Sequence, residues 1–135
     1  MATIGENKRV RALFEVNRLL MDQRPEMPIS IVNTLLGCFL WRHSEEQPGT
    51  PITILELSEK IGLPYTTVSR HLRYLGEEER TGVPGLGLVE TEVYILNRRQ
   101  KTVKLTHKGR ALMDRLRYIL GDQDDNQTEG DVMAS

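Results

Sequence analysis

The sequence predicts a mainly α-helical fold that carries one β-hairpin, and two observations lead to this prediction. Apolar residues recur at helical spacing along most of the chain, whereas residues 88–96 and 101–105 alternate apolar and polar side chains as paired strands do. The 135 residues suffice for one hydrophobic core of ordinary size. The predicted order is three or four helices, the hairpin and a final helix.

The first two helices are predicted over 6–22 and 29–43, with a proline-containing segment between them. The apolar side chains of the first helix fall on one stripe, formed by Val10, Leu13, Phe14, Leu20 and Met21. This stripe requires an apolar partner, which is either the core of the domain or a second subunit. The second helix is more apolar, so we expect it to be more buried, and residues 44–51 follow it as a loop.

Two short helices are predicted next, over 52–62 and 63–75. Thr53 is a suitable N-cap for the first of them. The small side chain of Ser58 permits the two helices to approach closely, and Gly62 lies in the turn between them. This spacing is typical of a helix-turn-helix, in which the second helix is held rigidly along one side and left bare along the other.

The second helix of the pair has two distinct faces. Val68, Leu72 and Leu75 lie within about 60° of one another and form the apolar seam. The opposite face carries the polar side chains of Thr66, Thr67, Arg70, Arg73 and Tyr74. Arginine and threonine bind base edges or phosphate, and tyrosine commonly meets phosphate. Tyr65 lies nearer the seam, so its ring is a core candidate whose hydroxyl can still reach a phosphate. The alternative is a three-helix core with an ordinary solvated face.

Residues 76–87 are rich in glycine and proline and predict a long loop, although the preceding helix can run on through Glu77–Glu79. The hairpin follows. Its apolar residues share one parity on each strand, with Val89, Val93 and Ile95 on the first and Val103 and Leu105 on the second. We expect these side chains to face the helices.

The turn of the hairpin concentrates positive charge. Asn97 suits a left-handed turn conformation. The tip beyond it consists of Arg98, Arg99, Gln100 and Lys101. Arginines at such a tip can enter a minor groove, where the narrow walls focus negative potential, and Lys104 is placed to meet phosphate. The alternative is that the charge serves solubility and discourages edge pairing.

The last helix is predicted over 107–120, after Thr106. Its apolar stripe consists of Leu112, Leu116, Ile119 and Leu120. The segment 121–135 is acidic and poor in apolar residues, which predicts a disordered tail. The predicted organisation is an N-terminal helix within 1–28, a domain with the helix-turn-helix and the hairpin plus the last helix over 29–120, and the tail over 121–135.

The formal net charge of −1 conceals an uneven distribution. Residues 121–135 hold five Asp or Glu and no Lys or Arg, so the remaining 120 residues carry 18 basic and 14 acidic groups. All of this excess falls within 64–110, where nine Lys or Arg face five Glu. Such a surplus permits a polyanionic partner without establishing one.

Other classes of function find little support in the sequence. No apolar run reaches the length of a membrane span, and the N-terminus has no signal core. Cys38 is the single cysteine and lies in an apolar run, so we expect it to be a core residue. The lack of a second cysteine suits a reducing cytoplasm. His43, His71 and His107 lack metal-ligand spacing, and no catalytic arrangement or nucleotide loop is visible. The sequence therefore predicts no enzyme, no metal site and no cofactor.

These motifs together resemble the winged helix-turn-helix of the MarR-type transcription factors, across roughly residues 29–120. The resemblance rests on LSEKIGLPYTTVSRHLRYL, then GLVET, then NRRQKTVKLTHKG. The family wing commonly reads Asp-x-Arg and continues, after a few residues, with Leu-Thr-x-x-Gly. The matching positions here are Asn97, in place of Asp, and Arg99, Leu105, Thr106 and Gly109.

The resemblance implies a homodimeric regulator, here a repressor, that reads a pseudo-palindromic site in double-stranded DNA. The helix over 64–75 would lie in the major groove, and Arg99, assisted by Arg98, would lie in the minor groove. The helices over 6–22 and 107–120 would form the dimer. Family members often bind small phenolic ligands, although no residue here demands such an effector. The competing hypothesis is a winged-helix module that binds another protein and no DNA, which the acidic Glu77–Glu79 and the acidic tail favour.

Overall fold

The computed structural model describes residues 4–94 and 97–121, with the backbone alone for residues 4–6. Five α-helices and two small antiparallel sheets are present in this part of the chain. The elements in chain order are α1 Ile4–Gln23, α2 Ile29–Leu40, α3 Ile54–Ile61, α4 Tyr65–Leu75, β1 Glu78–Arg80, β2 Val83–Pro84, β3 Val89–Val93, β4 Lys101–Leu105 and α5 His107–Leu120. The chain divides into two compact units, Pro28–Arg110 on one hand and Met1–Met27 with Ala111–Ser135 on the other. The predicted tail beyond Gly121 lies outside the described residues.

The unit Pro28–Arg110 is built around an apolar core to which α2, α3, α4 and the β3–β4 hairpin all contribute. Its most deeply buried side chains, none more than 1% exposed, are Leu35, Ile52, Leu57, Val68, Leu75, Leu88, Val89 and Val103. Gly37 allows α2 to lie close to α3, because a Cβ at this position would come within 2.9 Å of the Ile61 side chain. Cys38 is buried as predicted, and burial raises the pKa of its thiol to about 12, so the thiol stays protonated and unreactive.

Helix α2 is shorter than the sequence predicts, because it ends at Leu40 instead of residue 43. The chain after Trp41 forms two isolated antiparallel β-bridges, between His43 and Pro51 and between Thr53 and Thr102 of β4. This long-range pairing outweighs the local helical pattern. It also attaches the start of α3 to the hairpin.

The segment 76–87 was predicted as a loop, with a possible extension of α4 through Glu77–Glu79. The predicted extension is wrong. Helix α4 stops at Leu75, and Glu78–Arg80 instead pairs with Val83–Pro84 as a small hairpin. The chain folds back along the end of α4, with the backbone N–H of Leu88 donating to the carbonyl of Leu75 at 2.8 Å. A Cβ on Gly85 would collide with the carbonyl of Gly76, so this close return depends on glycine.

The larger hairpin pairs β3 with β4 in antiparallel register, from Val89 opposite Leu105 to Val93 opposite Lys101. Val89, Val103 and Leu105 are buried as predicted. Val93 is not, since 54% of it is exposed where the hairpin extends beyond the helices. Ile95, which was expected on the same face, lies outside the described residues.

The start of α5 explains the Leu-Thr-x-x-Gly motif. The hydroxyl of Thr106 donates to the carbonyl of Gly87 at 2.7 Å and accepts from the N–H of Gly109 at 3.1 Å, so it caps the helix and ties it to the hairpin. A Cβ on Gly109 would collide with the carbonyl of Leu88, which requires glycine at that position.

In the unit that contains α1, this helix buries Val16, Leu19 and Leu20, and α5 buries Leu112, Met113 and Leu116. The rest of the predicted α1 stripe is exposed, namely Val10, Leu13, Phe14 and Met21 at 52–68%. On α5, Tyr118 and Leu120 are also exposed. The sequence left open whether the core or a second subunit covers the predicted α1 stripe. Within this chain, Leu20 is the one residue of that stripe that is buried. In the part of the chain that the structure describes, no helix is long and apolar enough to cross a membrane.

Candidate nucleic-acid interface

Helix α3 is anchored at its N-terminus by a capping box. The hydroxyl of Thr53 accepts from the N–H of Glu56 at 3.1 Å, and the Glu56 carboxylate accepts from the N–H of Thr53 at 3.2 Å. Glu56 also accepts from the hydroxyl of Ser44 at 2.8 Å and from the N–H of Glu45 at 3.0 Å. Burial raises the pKa of Glu56, but these hydrogen bonds outweigh burial and bring the pKa below its ordinary value of 4.5.

The turn between α3 and α4 has the geometry that the sequence predicts. Gly62 adopts a φ of 83°, in the left-handed region that favours glycine. Its N–H and that of Leu63 both donate to the carbonyl of Ser58, at 2.9 and 3.2 Å. Ser58 is buried, and its hydroxyl donates to the carbonyl of Leu55 at 2.7 Å. The small buried serine and the left-handed glycine thus set the direction in which α4 leaves α3.

The inner face of α4 is wider than the predicted seam. Val68, Leu72 and Leu75 are buried as expected, and His71 is buried beside them. The Nδ1 of His71 lies 2.8 Å from the hydroxyl of Thr34, which is completely buried on α2. Burial lowers the pKa of His71 below its ordinary value of 6.5, and the charge of the neighbouring Arg70 lowers it further.

His71 therefore fastens α4 to α2 as a neutral side chain, a role that the sequence analysis missed. The signal was available in the spacing. At 100° per residue, residue 71 lies about 40° from residue 75, at the edge of the seam formed by 68, 72 and 75, so its position borders the core.

The outer face of α4 presents the side chains that the sequence singled out. Thr66, Arg70 and Arg73 are exposed, and Thr67 and Tyr74 are half-buried. The ring of Tyr65 is 40% exposed, so it is not the core residue that its position allowed. Among the residues that the structure describes, neither Arg70 nor Arg73 forms an ion pair. Their guanidinium groups are available to an external partner.

The tip of the β3–β4 hairpin is a tight turn organised by Asn97. Its carbonyl accepts from the N–H of Gln100 at 2.9 Å, and its side-chain oxygen accepts from the N–H of Arg99 at 3.1 Å. The predicted left-handed conformation is wrong, because no described residue other than glycine has a positive φ. Asn97 occupies the first turn position, where its side chain is useful and normal backbone angles suffice. Arg98 and Arg99 follow it and are exposed.

The two lysines of β4 differ in their surroundings. Both are exposed, but the Nζ of Lys104 lies 3.5 Å from the carboxylate of Glu90 on the opposite strand. A half-exposed pair of this kind contributes little stability, so Lys104 remains able to exchange partners. Lys101 closes the hairpin opposite Val93 and has no ion pair within the described chain.

A cleft of about 320 Å³ between α4 and the hairpin brings two of these cations together, since Arg73 and Lys101 both line it. Four carboxylates share the lining, those of Glu77, Glu78, Glu90 and Glu92. The Glu78 carboxylate accepts a hydrogen bond from the N–H of Gly82 at 2.9 Å. The acidic contribution of β3 to this cleft was not foreseen.

No group of three or more His, Cys, Asp or Glu that could hold a metal ion occurs within residues 4–94 and 97–121. The chemistry that remains is that of hydrogen-bond donors and positive charge on an exposed helix face and a hairpin tip. That combination can bind anions and base edges.

Three solved structures illustrate what this chain resembles. A complex of Staphylococcus aureus MepR with DNA is 18% identical, covers 96% of this chain and 86% of its own, and has a TM-score of 0.55. A crystal structure of MarR is 23% identical, covers 90% and 75%, and has a TM-score of 0.55. The Mycobacterium tuberculosis transcriptional regulator MosR in complex with DNA is 22% identical, covers 100% and 83%, and has a TM-score of 0.50.

The sequence matches no protein-family profile and no curated protein. The similarity is therefore one of architecture, and it extends over nearly the whole chain in each of the three comparisons. The helix-turn-helix of α3 and α4, the β3–β4 wing and the flanking helices α1 and α5 give this chain the winged helix-turn-helix fold of the MarR-type regulators.

Proposed function

We propose that this protein is a sequence-specific DNA-binding transcriptional regulator that acts as a dimeric repressor. One observation carries the proposal above all. The apolar seam and His71 hold α4 rigidly from behind, while its outer face presents Arg70 and Arg73 without internal ion pairs in the described chain. Solved structures with the same fold include complexes with DNA.

Helix α4 is proposed to lie in the major groove. Arg70 is the candidate for a bidentate contact with guanine, since it is exposed near the middle of the helix. Thr66 and Thr67 are candidates for base or phosphate contacts, and Tyr65, with its ring exposed at the start of α4, is a candidate for phosphate. Arg73 is exposed further along the helix, beside the acidic cleft.

The wing is proposed to enter the adjacent minor groove with Arg98 and Arg99. The hydrogen bond from the Arg99 N–H to the Asn97 side chain fixes the backbone of the tip, so the arginines need less ordering when they bind. Narrow minor grooves attract arginine because their negative potential is focused. Lys101 and Lys104 are candidates for phosphate contacts beside the wing.

The exposed apolar residues of α1 are proposed to bury themselves against a second copy of the chain. Val10, Leu13, Phe14 and Met21 lie on one face of α1, with the polar Asn17 between the last two, and Tyr118 and Leu120 add exposed apolar surface on α5. A dimer places two α4 helices on one duplex, which predicts a pseudo-palindromic site. We place this binding function, which involves no catalysis, in the cytoplasm.

A second candidate function is recognition of another protein by the same scaffold. The four carboxylates of the cleft beside Arg73 and Lys101 favour it, because they repel phosphate. Selection of bound sites from random double-stranded DNA separates the two. Enrichment of a pseudo-palindrome with half-sites about one helical turn apart supports the regulator. Recovery of random sequence alone would favour the protein-binding module.

A further inference from the structure

A second cleft, of about 240 Å³, lies within the unit Pro28–Arg110. The chain after α2, strand β4 and the beginning of α5 meet there. Three permanently cationic side chains line it, those of Arg42, Lys104 and Arg110, and His43 adds an imidazole. Pro51 and Leu105 supply apolar surface, and no described carboxylate belongs to the lining. The cleft next to the wing has the opposite character, with four glutamates.

Each of the three cations already has one partner within the chain. The guanidinium of Arg110 donates to the carbonyl of Leu105 at 3.0 Å, and that of Arg42 lies 5.0 Å from the centre of the Phe39 ring. The ammonium of Lys104 lies 3.5 Å from the Glu90 carboxylate. A guanidinium has five N–H donors and an ammonium three, so each group keeps donors to spare. The positions are set without the donors being used up, which lowers the entropic cost of binding a ligand.

Positive charges gathered around one small cleft repel each other, and a bound anion relieves this repulsion. Arginine forks match the oxygens of phosphate and carboxylate groups, which they bind in a bidentate manner. The cleft volume of 240 Å³ falls below the range of roughly 300–1,000 Å³ that drug-sized ligands occupy. The lining therefore suits a compact ligand with more than one negative charge.

We propose that this cleft is a binding site for a small dianion, a phosphate monoester or a dicarboxylate, held by Arg42, Lys104 and Arg110. The ligand would connect β4, which leads from the wing tip, to the first turn of α5 and to the chain after α2. This site lies away from α4 and the wing tip, and Lys104 is the residue that it shares with the proposed DNA contacts. Binding of the dianion does not depend on binding of DNA.

The direct test is a titration of the full, DNA-free chain labelled with nitrogen-15, observed by NMR at constant ionic strength. Sulfate, inorganic phosphate and succinate serve as dianionic probes, and acetate and chloride as monoanions. We expect saturable shifts of the backbone amides of residues 42–50 other than Pro48, and of Lys104 and Arg110. We expect dianions to bind at least about tenfold more tightly than acetate.

Two variants locate the site independently. Arg42→Gln and Arg110→Gln should each weaken dianion binding about tenfold, since each removes charge-assisted hydrogen bonds. Arg115→Gln is the matched control, because Arg115 is exposed on α5 and does not line the cleft, and it should leave binding unchanged. Circular dichroism verifies that each variant is folded. If Arg110→Gln fails to fold, Arg42→Gln alone still decides.

The proposal is overturned if the shifts concentrate at Arg70, Arg98 and Arg99, if chloride reproduces them, or if both variants bind sulfate as the wild type does. Because no DNA is present, these outcomes are independent of the proposed regulator function. A protein that selects a DNA site but binds no dianion would refute this cleft alone. One that binds dianions but no DNA would refute only the regulator.

Discussion

Helices α4 and α1 bury apolar seams of similar kind but expose very different faces. Behind α4 lie Val68, Leu72 and Leu75, and its outer face is polar, with Arg70 and Arg73 exposed. Behind α1 lie Val16, Leu19 and Leu20, yet this helix also exposes Val10, Leu13, Phe14 and Met21. The exposed face of α4 is thus polar, whereas α1 exposes an apolar stripe to solvent.

This difference assigns a partner of different chemistry to each helix. Several large apolar side chains exposed on one helix face mark a surface for another protein, and full burial of one Leu or Phe contributes about 1.5–3 kcal/mol. The arginines of α4 gain little from apolar contact and much from phosphate and base edges. Under the proposed function, α1 serves assembly, whereas α4 and the wing serve recognition.

The largest effect is expected from a charge within the apolar stripe of α1. Phe14→Glu should convert the dimer to a monomer and reduce affinity for a two-half-site operator at least about hundredfold, because one half-site loses its linked partner. Analytical ultracentrifugation measures the first effect and a gel-shift titration the second. Lys8→Glu, on an exposed position outside the stripe, should remain dimeric. A Phe14→Glu protein that sediments as the wild type would contradict the proposed dimer contact of α1.

The next largest effect concerns the wing turn. Asn97→Ala removes the acceptor for the Arg99 N–H and should lower DNA affinity about tenfold, since the tip must then be ordered on binding. Asn97→Asp retains the acceptor and should bind at least as tightly as the wild type. Fluorescence anisotropy with one labelled operator measures all three proteins. Equal affinity of Asn97→Ala and the wild type would show that the turn does not position the arginines.

The attachment of α4 to α2 should make stability depend on pH. His71 has a folded-state pKa below its ordinary value of 6.5. As pH falls, the unfolded chain therefore binds a proton at this residue at a higher pH than the folded protein does. The stabilisation is fully present above pH 6.5 and is lost as pH falls below it, through the lower folded-state pKa. Urea midpoints measured between pH 8 and pH 5 should fall for the wild type.

His71→Asn is the matched variant for this measurement, because an amide can still reach Thr34 but does not titrate. Its urea midpoint should vary less over the upper part of that range. At lower pH, Glu56 adds a separate loss, since its pKa lies below 4.5 and its hydrogen bonds disappear on protonation. A wild-type midpoint that stays constant from pH 7 to pH 5 would contradict the role assigned to His71.

The smallest effect is expected at the acidic cleft. Glu92→Gln removes one of the four carboxylates that face Arg73 and Lys101, and it should raise DNA affinity two- to threefold at low salt by reducing repulsion of phosphate, by about 0.5 kcal/mol. Anisotropy at two salt concentrations detects this change. A decrease in affinity would instead mean that the carboxylate orients a cation that binds DNA.

The parts of the fold that sequence could predict are those fixed by local signals. Thr53, Gly62 and the Val68 seam define the helix pair through contacts within a few residues, and the structure reproduces them. The Thr106 cap at the start of α5 is similarly local. Each of these features combines a propensity with a spacing that few alternatives satisfy.

Most of the errors, apart from the conformation of Asn97, arise where contacts between separate elements decide the outcome. Helix α2 ends early because His43 pairs with Pro51, and the return after α4 depends on the packing of Gly85 against Gly76. The burial of His71 depends on Thr34 of another helix, and the acidic cleft depends on β3 lying beside α4. No pattern within a short window contains such information.

Binding of DNA by the outer face of α4 and by the wing tip can be tested through the affinity for a selected operator as a function of salt. Log affinity should fall linearly with log salt, with a slope of roughly −0.9 per phosphate contact. Arg70→Ala and Arg99→Ala should stay folded and dimeric and each lose about tenfold or more in affinity. Wild-type affinity in both variants would contradict the claim.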